Sequence, residues 1–264
     1  MSDYIFSDHP DARELRRLQL IERALDATSI TWLERTGLAA GQSALEIGAG
    51  AGSLVEWFAA RVGSQGRVVA LDKKTVHLDR FRRGPNAAVT VLEGNLADVA
   101  MPTPFDVAHA RYVFIHNREA SALLRRVRSM LKPGGWFVCE EPDFRCAAVL
   151  QPDSDSALDR VHQAIGAMFV QGGLDPSYGL RLPQQMQEAG FDIVQVESRL
   201  HLAPGGGPIA EVMGESALAL RAAYTKTGLA TDADIDHYVA RARDPQRWAV
   251  WYATVSVLAR VGAH

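Results

Sequence analysis

The sequence predicts an α/β fold, a largely parallel sheet with helices on both faces, and three observations carry that expectation. Short apolar runs alternate with amphipathic stretches from residue 11 to residue 140. Three alternate glycines, Gly48, Gly50 and Gly52, follow the first of those runs, and Asp72 ends the second. Strands separated by helices at this spacing imply right-handed crossovers and parallel neighbours.

The elements follow in order. Leu15, Leu18, Ile21, Leu25, Ile30 and Leu33 recur among charges over residues 11–35, the spacing of one or two amphipathic helices. Residues 43–47 read as a short buried strand, and a helix starts at Ser53, whose hydroxyl suits a cap. Strands follow at 67–71, 88–92, 105–110 and 135–140, with a helix over 118–131 before the last of them. Lys132-Pro133-Gly134-Gly135 fits a type II turn, because Pro presets the first central residue and Gly permits the positive φ of the second.

The alternation then breaks. Residues 144–189 read as helical around 158–170 and 182–189, strand character returns at 191–196 and continues toward 202, and a Pro/Gly break covers 204–208. Helical stretches over 209–228 and 231–243 precede a final β-rich run, 248–261. The expectation is a seven-stranded sheet built from residues 41–143, 190–203 and 248–264, an N-terminal helical lid over 1–40, and helical insertions over 144–189 and 204–247 forming a substrate cap.

Composition narrows the function. The 264 residues are 47% hydrophobic and 22% charged, ordinary values for a soluble globular chain. Lys and Arg number 28 against 31 Asp and Glu, a formal charge of −3 that argues against a nucleic-acid partner. Arg13, Arg16, Arg17 and Arg23 alternate with Glu14 and Glu22 at helical spacing, which reads as a solvated helix face. Cys139 and Cys146 lack the paired spacing of a metal site and read as reduced thiols. No apolar run nears the ~20 residues of a membrane span, and the first residues lack a signal peptide's pattern, so no membrane partner and a cytoplasmic location are expected.

Glycines after a strand let backbone approach a ligand where any Cβ would intrude, and they present amide donors beside the next helix start. An acid ending the second strand is placed to accept from both hydroxyls of a ribose. Two features disfavour a dinucleotide: Ser53 stands where its fingerprint wants Gly or Ala, and Glu46 would face a pyrophosphate. S-adenosylmethionine has no phosphate and carries a sulfonium and an ammonium, so acidic strand ends complement it.

These residues resemble a known family. Leu45-Glu46-Ile47-Gly48-Ala49-Gly50-Ala51-Gly52 is similar to the first motif of class I S-adenosylmethionine-dependent methyltransferases, and Val69-Ala70-Leu71-Asp72 to the second. Glu93-Gly94-Asn95-Leu96, Phe105 to Arg111, and Leu131-Lys132-Pro133-Gly134-Gly135 fall in that family's order, so the resemblance covers roughly residues 40–145 and implies the Rossmann-like sheet of its small-molecule members.

The resemblance implies that Gly48, Gly50 and Gly52 line the methionine and ribose, with Glu46 helping to hold the amino-acid end through the loop or water. It implies that Asp72 binds the ribose hydroxyls, Lys73 covers the adenine and Leu96 supplies a backbone amide to the ring. Asn95 stands where the family commonly has an Asp for the adenine amine; it still accepts through its carbonyl oxygen, without the charge-assisted component. Arg111 resembles the position bordering the methionine, with a structural ion pair as the other reading. Arg17-Leu18-Gln19 is a looser version of a lid element that contacts the cofactor carboxylate, which singles out Gln19, and Tyr4 is a further lid candidate.

Methyl transfer is an in-line displacement at a carbon already activated by positive sulfur, so alignment and exclusion of water matter more than a dedicated base. A histidine, with an unperturbed pKa of ~6.5, suits removal of a proton from a phenol, amine or enol. His116, just past the fourth strand, is the catalytic candidate, while His109 sits within that strand and packs. Glu140, Glu141 and Asp143 follow the fifth strand without a recognisable metal pattern, so no metal is expected. Met168, Phe169, Tyr178, Met186, Met213, Tyr224 and Trp248 are the candidates for an apolar chamber around a small organic acceptor. A nicotinamide-dependent oxidoreductase, a cofactor-binding module without turnover, and a cyclase using the sulfonium without methyl transfer stay open as alternatives. The acceptor atom, O, N or C, and the choice between monomer and homodimer stay open too.

Overall fold

The computed structural model describes residues 11–83, 88–102, 104–149 and 156–262. Tyr4 lies outside them. In chain order the elements are α1 (Asp11–Glu34), β1 (Ser43–Ile47), α2 (Ser53–Val62), β2 (Arg67–Asp72), α3 (Asp79–Arg83), β3 (Val89–Glu93), β4 (Phe105–Arg111), α4 (Ala120–Met130) and β5 (Leu131–Asp143). They continue with β6 (Ala148–Val149), α5 (Ser156–Gln171), α6 (Tyr178–Glu188), β7 (Asp192–Pro204), α7 (Pro208–Ala219), α8 (Arg221–Lys226), α9 (Asp232–Arg243) and β8 (Trp248–Arg260).

Five parallel strands run in the order β3-β2-β1-β4-β5. β8 inserts antiparallel beside β5, and β7 pairs antiparallel with its other edge. Seven long strands thus form the sheet; the two-residue β6, an eighth, pairs with Ala249 and Val250 of β8 and is too short to leave any periodicity in sequence. β1 is buried throughout and β8 almost throughout, as strands covered on both faces require. One face packs Trp32, Leu33, Val55 and Phe58 against Ala44, Val68 and Leu258; the other carries Leu124, Val127 and Phe137 against Leu182 and Met186.

Two local expectations shift. Gly134 adopts φ +75°, as a type II turn requires, but β5 opens before the turn: Leu131 pairs with Phe105, residues 132–135 bulge out, and the ladder resumes at Trp136. Ser53 is the first residue of α2 rather than its cap: Gly52 occupies the cap position in a left-handed conformation, and the Glu22 carboxylate of α1 accepts from Ser53 N at 3.0 Å. An acid at a helix start is favoured by the helix dipole, so α1 replaces the local cap.

α6, within the first insertion, packs against β5, β7 and β8, because Tyr178, Leu182 and Met186 form one buried stripe. α5, α7, α8 and α9 instead pack on one another, and α7 meets α1. Thr231 and Asp234 cap α9 reciprocally, and Asp234 also holds Arg160 of α5 at 2.5 Å. No helix among the described residues is long and apolar enough to cross a membrane.

Candidate active site

The parallel strands β1, β2 and β4 end on one side of the sheet, where the glycine turn reverses the chain. Gly48 N and Ala49 N both donate to Leu71 O, at 2.8 and 3.1 Å, which fixes the turn over the end of β2. Gly48 has φ +73°, and a Cβ there would lie 2.5 Å from Val113 Cγ2. Above the turn lies a cavity of about 240 Å³, walled by the turn, the ends of β2 and β4, residues 94–97, α1, and the helices that follow β5.

Asp72 is half-buried at its floor. Its Oδ2 accepts from Gly50 N at 2.8 Å and its Oδ1 from Lys74 N at 3.1 Å. Burial raises its pKa above the ordinary value, and the backbone donors oppose that rise. Glu46, Gly48, Gly50, Lys73, Asn95, Leu96, Arg111 and His116 all line the same cavity, so nearly every residue singled out in the sequence converges there.

Two do not. Gly52 is absent from the wall: at φ +95° its missing Cβ leaves room for Phe81 and Leu78, which a Cβ would approach to 2.6 and 2.9 Å. Its glycine serves the packing of the 76–83 segment. Gln19 is exposed and also outside the wall, because Glu14, Arg17, Leu18, Ile21 and Glu22 hold the cavity face of α1 and position 19 turns away from that stripe. Arg17, whose guanidinium is held bidentately by Glu14 at 2.7 and 2.9 Å, is the polar group α1 brings in. The i, i+3, i+4, i+7, i+8 spacing of those five residues was the available signal; their charges had suggested a solvated face.

Below the turn, the sheet interior holds a chain of charges. His109 Nδ1 lies 2.8 and 3.0 Å from the Glu46 carboxylate oxygens, and Nε2 lies 3.2 Å from Glu140. Burial opposes an imidazolium, yet the two carboxylates outweigh it and push His109 up to about 9. Burial would likewise raise Glu140, but His109, Arg111 and Ser29 hold it below the ordinary carboxylate value. Burial raises Glu46, only partly offset by His109. Arg111 donates to Ser29 Oγ and Asp26 Oδ1, both at 2.9 Å, so its guanidinium is committed to α1 even though the residue borders the cavity. Ser29 also donates to Glu140, and Ser256 does so from β8 at 3.0 Å.

Glu141 accepts from the backbone N–H groups of Val113, Phe114 and Ile115 at 2.7–3.0 Å, which shapes the loop after β4; burial pushes it up to about 7. Asp143 accepts from Arg145 N. No group of three or more His, Cys, Asp or Glu among the described residues is placed to hold a metal.

His116 stacks on Phe169 with ring centroids 6.1 Å apart, and Phe169 stacks on Phe144 at 5.5 Å. Burial, helped by Arg17 and Lys73, pushes His116 down to about 3. The histidine is therefore neutral near pH 7, suited to accepting a hydrogen bond and poor at keeping a proton, unlike the base its ordinary value suggests. The apolar chamber is formed by Phe169, Met213 and Tyr224 of the expected set, with Phe144, Ile165, Leu220 and Tyr252. Met168, Tyr178, Met186 and Trp248 lie outside it: Tyr178 and Met186 are core residues under α6, and Trp248 is exposed.

Tyr112, which no motif singled out, also lines the cavity. It has φ +59°, alone among the described non-glycine residues in the left-handed region. Its hydroxyl bonds Thr254 Oγ1 at 2.5 Å and Tyr252 at 3.3 Å, and His201 Nε2 meets the same Thr254 at 2.7 Å. Such strain at a cavity wall, held by a hydroxyl network, is a common mark of a functional site.

A family model described as "Methyltransferase domain" matches residues 13–196. An uncharacterized 37.1 kDa protein in a transposon of Streptomyces fradiae is 25% identical over 206 residues, covering 76% of this chain and 58% of that protein. The chain spans about half the length of the curated relatives it matches, 44–58%. Among solved structures, the 4+2 cyclase SpnF aligns with a TM-score of 0.59 at 20% identity, covering 92% of this chain and 83% of that one. A coclaurine N-methyltransferase bound to N-methylheliamine and SAH aligns at 0.55 and 18%, covering 88% and 71%. These likenesses show a shared fold.

Proposed function

The chain belongs to the methyltransferase-domain family, and from that premise we propose that it binds S-adenosylmethionine over the glycine turn and methylates a small organic acceptor. The observation that carries this reading is one continuous cavity with two unlike halves. Asp72, Gly48 and Gly50 wall one half, and the aromatic chamber of Phe144, Phe169, Tyr224 and Tyr252 walls the other.

The residues fit the cofactor on two counts. A Cβ at Gly48 would close the cradle against Val113, and Ser53 Oγ is buried in the wall with no hydrogen-bond partner among the described residues. Asp72 keeps an acceptor position toward the ribose hydroxyls, Leu96 and Asn95 border the adenine, and Lys73 covers it. Glu46, braced by His109, contributes negative potential at the amino-acid end, and Arg17 takes the role at the carboxylate that the lid element suggested for Gln19. When bound, the cofactor supplies a methyl carbon activated by positive sulfur.

The rest falls to the chain's own side chains. The core of residues 41–143, 190–203 and 248–264 holds the cofactor; α1 closes one side, and α5, α7 and α8 cap the acceptor. Apolar walls exclude water, and neutral His116 accepts a hydrogen bond from the acceptor's O–H, N–H or enol O–H, orienting its lone pair or enol π-bond toward the methyl; the proton released on transfer passes to solvent. Calorimetry with S-adenosylmethionine and its demethylated product tests the binding. Incubation with methyl-labelled cofactor and a metabolite extract, read by mass spectrometry, tests transfer. Binding of neither compound at sub-millimolar concentration refutes the reading; binding without any labelled product refutes the transfer.

A further inference from the structure

β7 is the outer strand beyond β8, and its second edge pairs with no strand among the described residues. Long edges with unpaired N–H and C=O groups are usually blunted by Pro, Lys or a covering element. β7 runs for 13 residues and from Asp192 to Ala203 contains neither Pro nor Lys; its pairing with β8 shifts register between Ile193 and Gln195 and again between Leu200 and Leu202, which leaves 195–200 as the regular, unblunted stretch. It carries an apolar row instead: Val194, Val196, Leu200 and Leu202 are 53%, 45%, 51% and 49% exposed. The opposite face of the strand is engaged within the fold, where Arg35 donates to Gln195, Arg199 donates to Thr28 and His201 bonds Thr254. A contiguous half-exposed aliphatic row marks a contact surface.

The order of residues along the edge indicates its occupant. Set antiparallel against itself about Ser198, the regular stretch brings Val196 opposite Leu200 and Glu197 opposite Arg199. Apolar meets apolar and acid meets base, the pairings that favour antiparallel neighbours. Moving the centre by one residue either way sets Glu197 against Glu197 or Arg199 against Arg199, so the charges select one register. We propose that β7 pairs with β7 of a second copy across a two-fold axis at Ser198, joining the two sheets edge to edge in a homodimer.

Residues opposite one another on an antiparallel pair have Cα atoms about 4.5–5.5 Å apart, within the span of a disulfide. The full chain carrying Cys146→Ser and Ser198→Cys is therefore expected to give a covalent dimer under mild oxidation. Glu197→Cys and Arg199→Cys, each facing the other position, stay monomeric on a non-reducing gel. Light scattering on the unaltered chain gives twice the monomer mass, and Val196→Lys with Leu200→Lys returns it to the monomer with unchanged circular dichroism. A monomer at micromolar concentrations overturns the proposal and assigns the strip to a different partner. A dimer that does not link through position 198 overturns it as well.

Discussion

Replacing Asp72 by Asn takes one acceptor oxygen from the floor of the cavity and leaves the shape unchanged. The carboxylate already faces three backbone N–H groups, from Gly50 to Oδ2 at 2.8 Å, from Lys74 to Oδ1 at 3.1 Å, and from Lys73. A carboxylate offers about four acceptor positions, so about one remains for a ribose hydroxyl. Asn has one oxygen; its NH2, turned to a backbone N–H, sets donor against donor and forfeits one hydroxyl bond. A hydrogen bond to a charged group contributes about 1.5–3 kcal/mol, which predicts an affinity loss of about 10- to 150-fold. Titration calorimetry with S-adenosylhomocysteine measures that loss, and a thermal melt without ligand checks that the fold persists. A folded variant binding within about twofold of the parent would remove Asp72 from the ribose and the cofactor reading with it.

Three further outcomes follow from the geometry. Gly52→Ala places a Cβ in the left-handed region at about 1–2 kcal/mol and forces Phe81 and Leu78 to repack for about 1–3 more, lowering the melting temperature by about 4–20 °C; an unchanged melt contradicts the packing role. His109, held at about 9 against an ordinary 6.5, contributes stability that is complete below pH 6.5 and lost as pH rises through about 9. Urea unfolding should show stability declining across that window, and His109→Gln should abolish the decline; a variant with the parent's slope refutes the charged network. His116, pushed down to about 3, stays neutral near pH 7, so His116→Asn should slow turnover by less than the ~100-fold expected on losing a general base and leave the shape of the pH–rate profile unaltered. Disappearance of an inflection near the ordinary histidine value would show that it titrates in catalysis.

Much of the sheet was legible because both faces of the central parallel strands are covered, and runs such as Val68–Leu71 then read as unbroken apolar segments. The end of β2 was legible for the same reason, and Asp72 with it. Function-bearing side chains on helices were harder. Arg17 and Gln19 sit two residues apart on α1, yet a helix turns by about 200° between them, and only the neighbouring Leu18 and Ile21 mark the inward side. α6 had a clear helical stripe, but nothing local says whether a stripe meets a sheet or other helices. Tyr112 was invisible, because no local motif marks a left-handed tyrosine and the partner of its hydroxyl, Thr254, lies more than a hundred positions away in sequence.

The place of β8 bears on how this chain assembles. It follows every other strand in sequence, yet it lies between β5 and β7 and supplies Thr254 to the Tyr112 hydroxyl and Ser256 to Glu140. Until those residues have been synthesised, β5 and β7 have no common neighbour, and contacts this distant in sequence slow folding. A nascent chain stalled before residue 248 would therefore expose two long unsatisfied margins at once, a natural point for chaperone capture or proteolytic clearance.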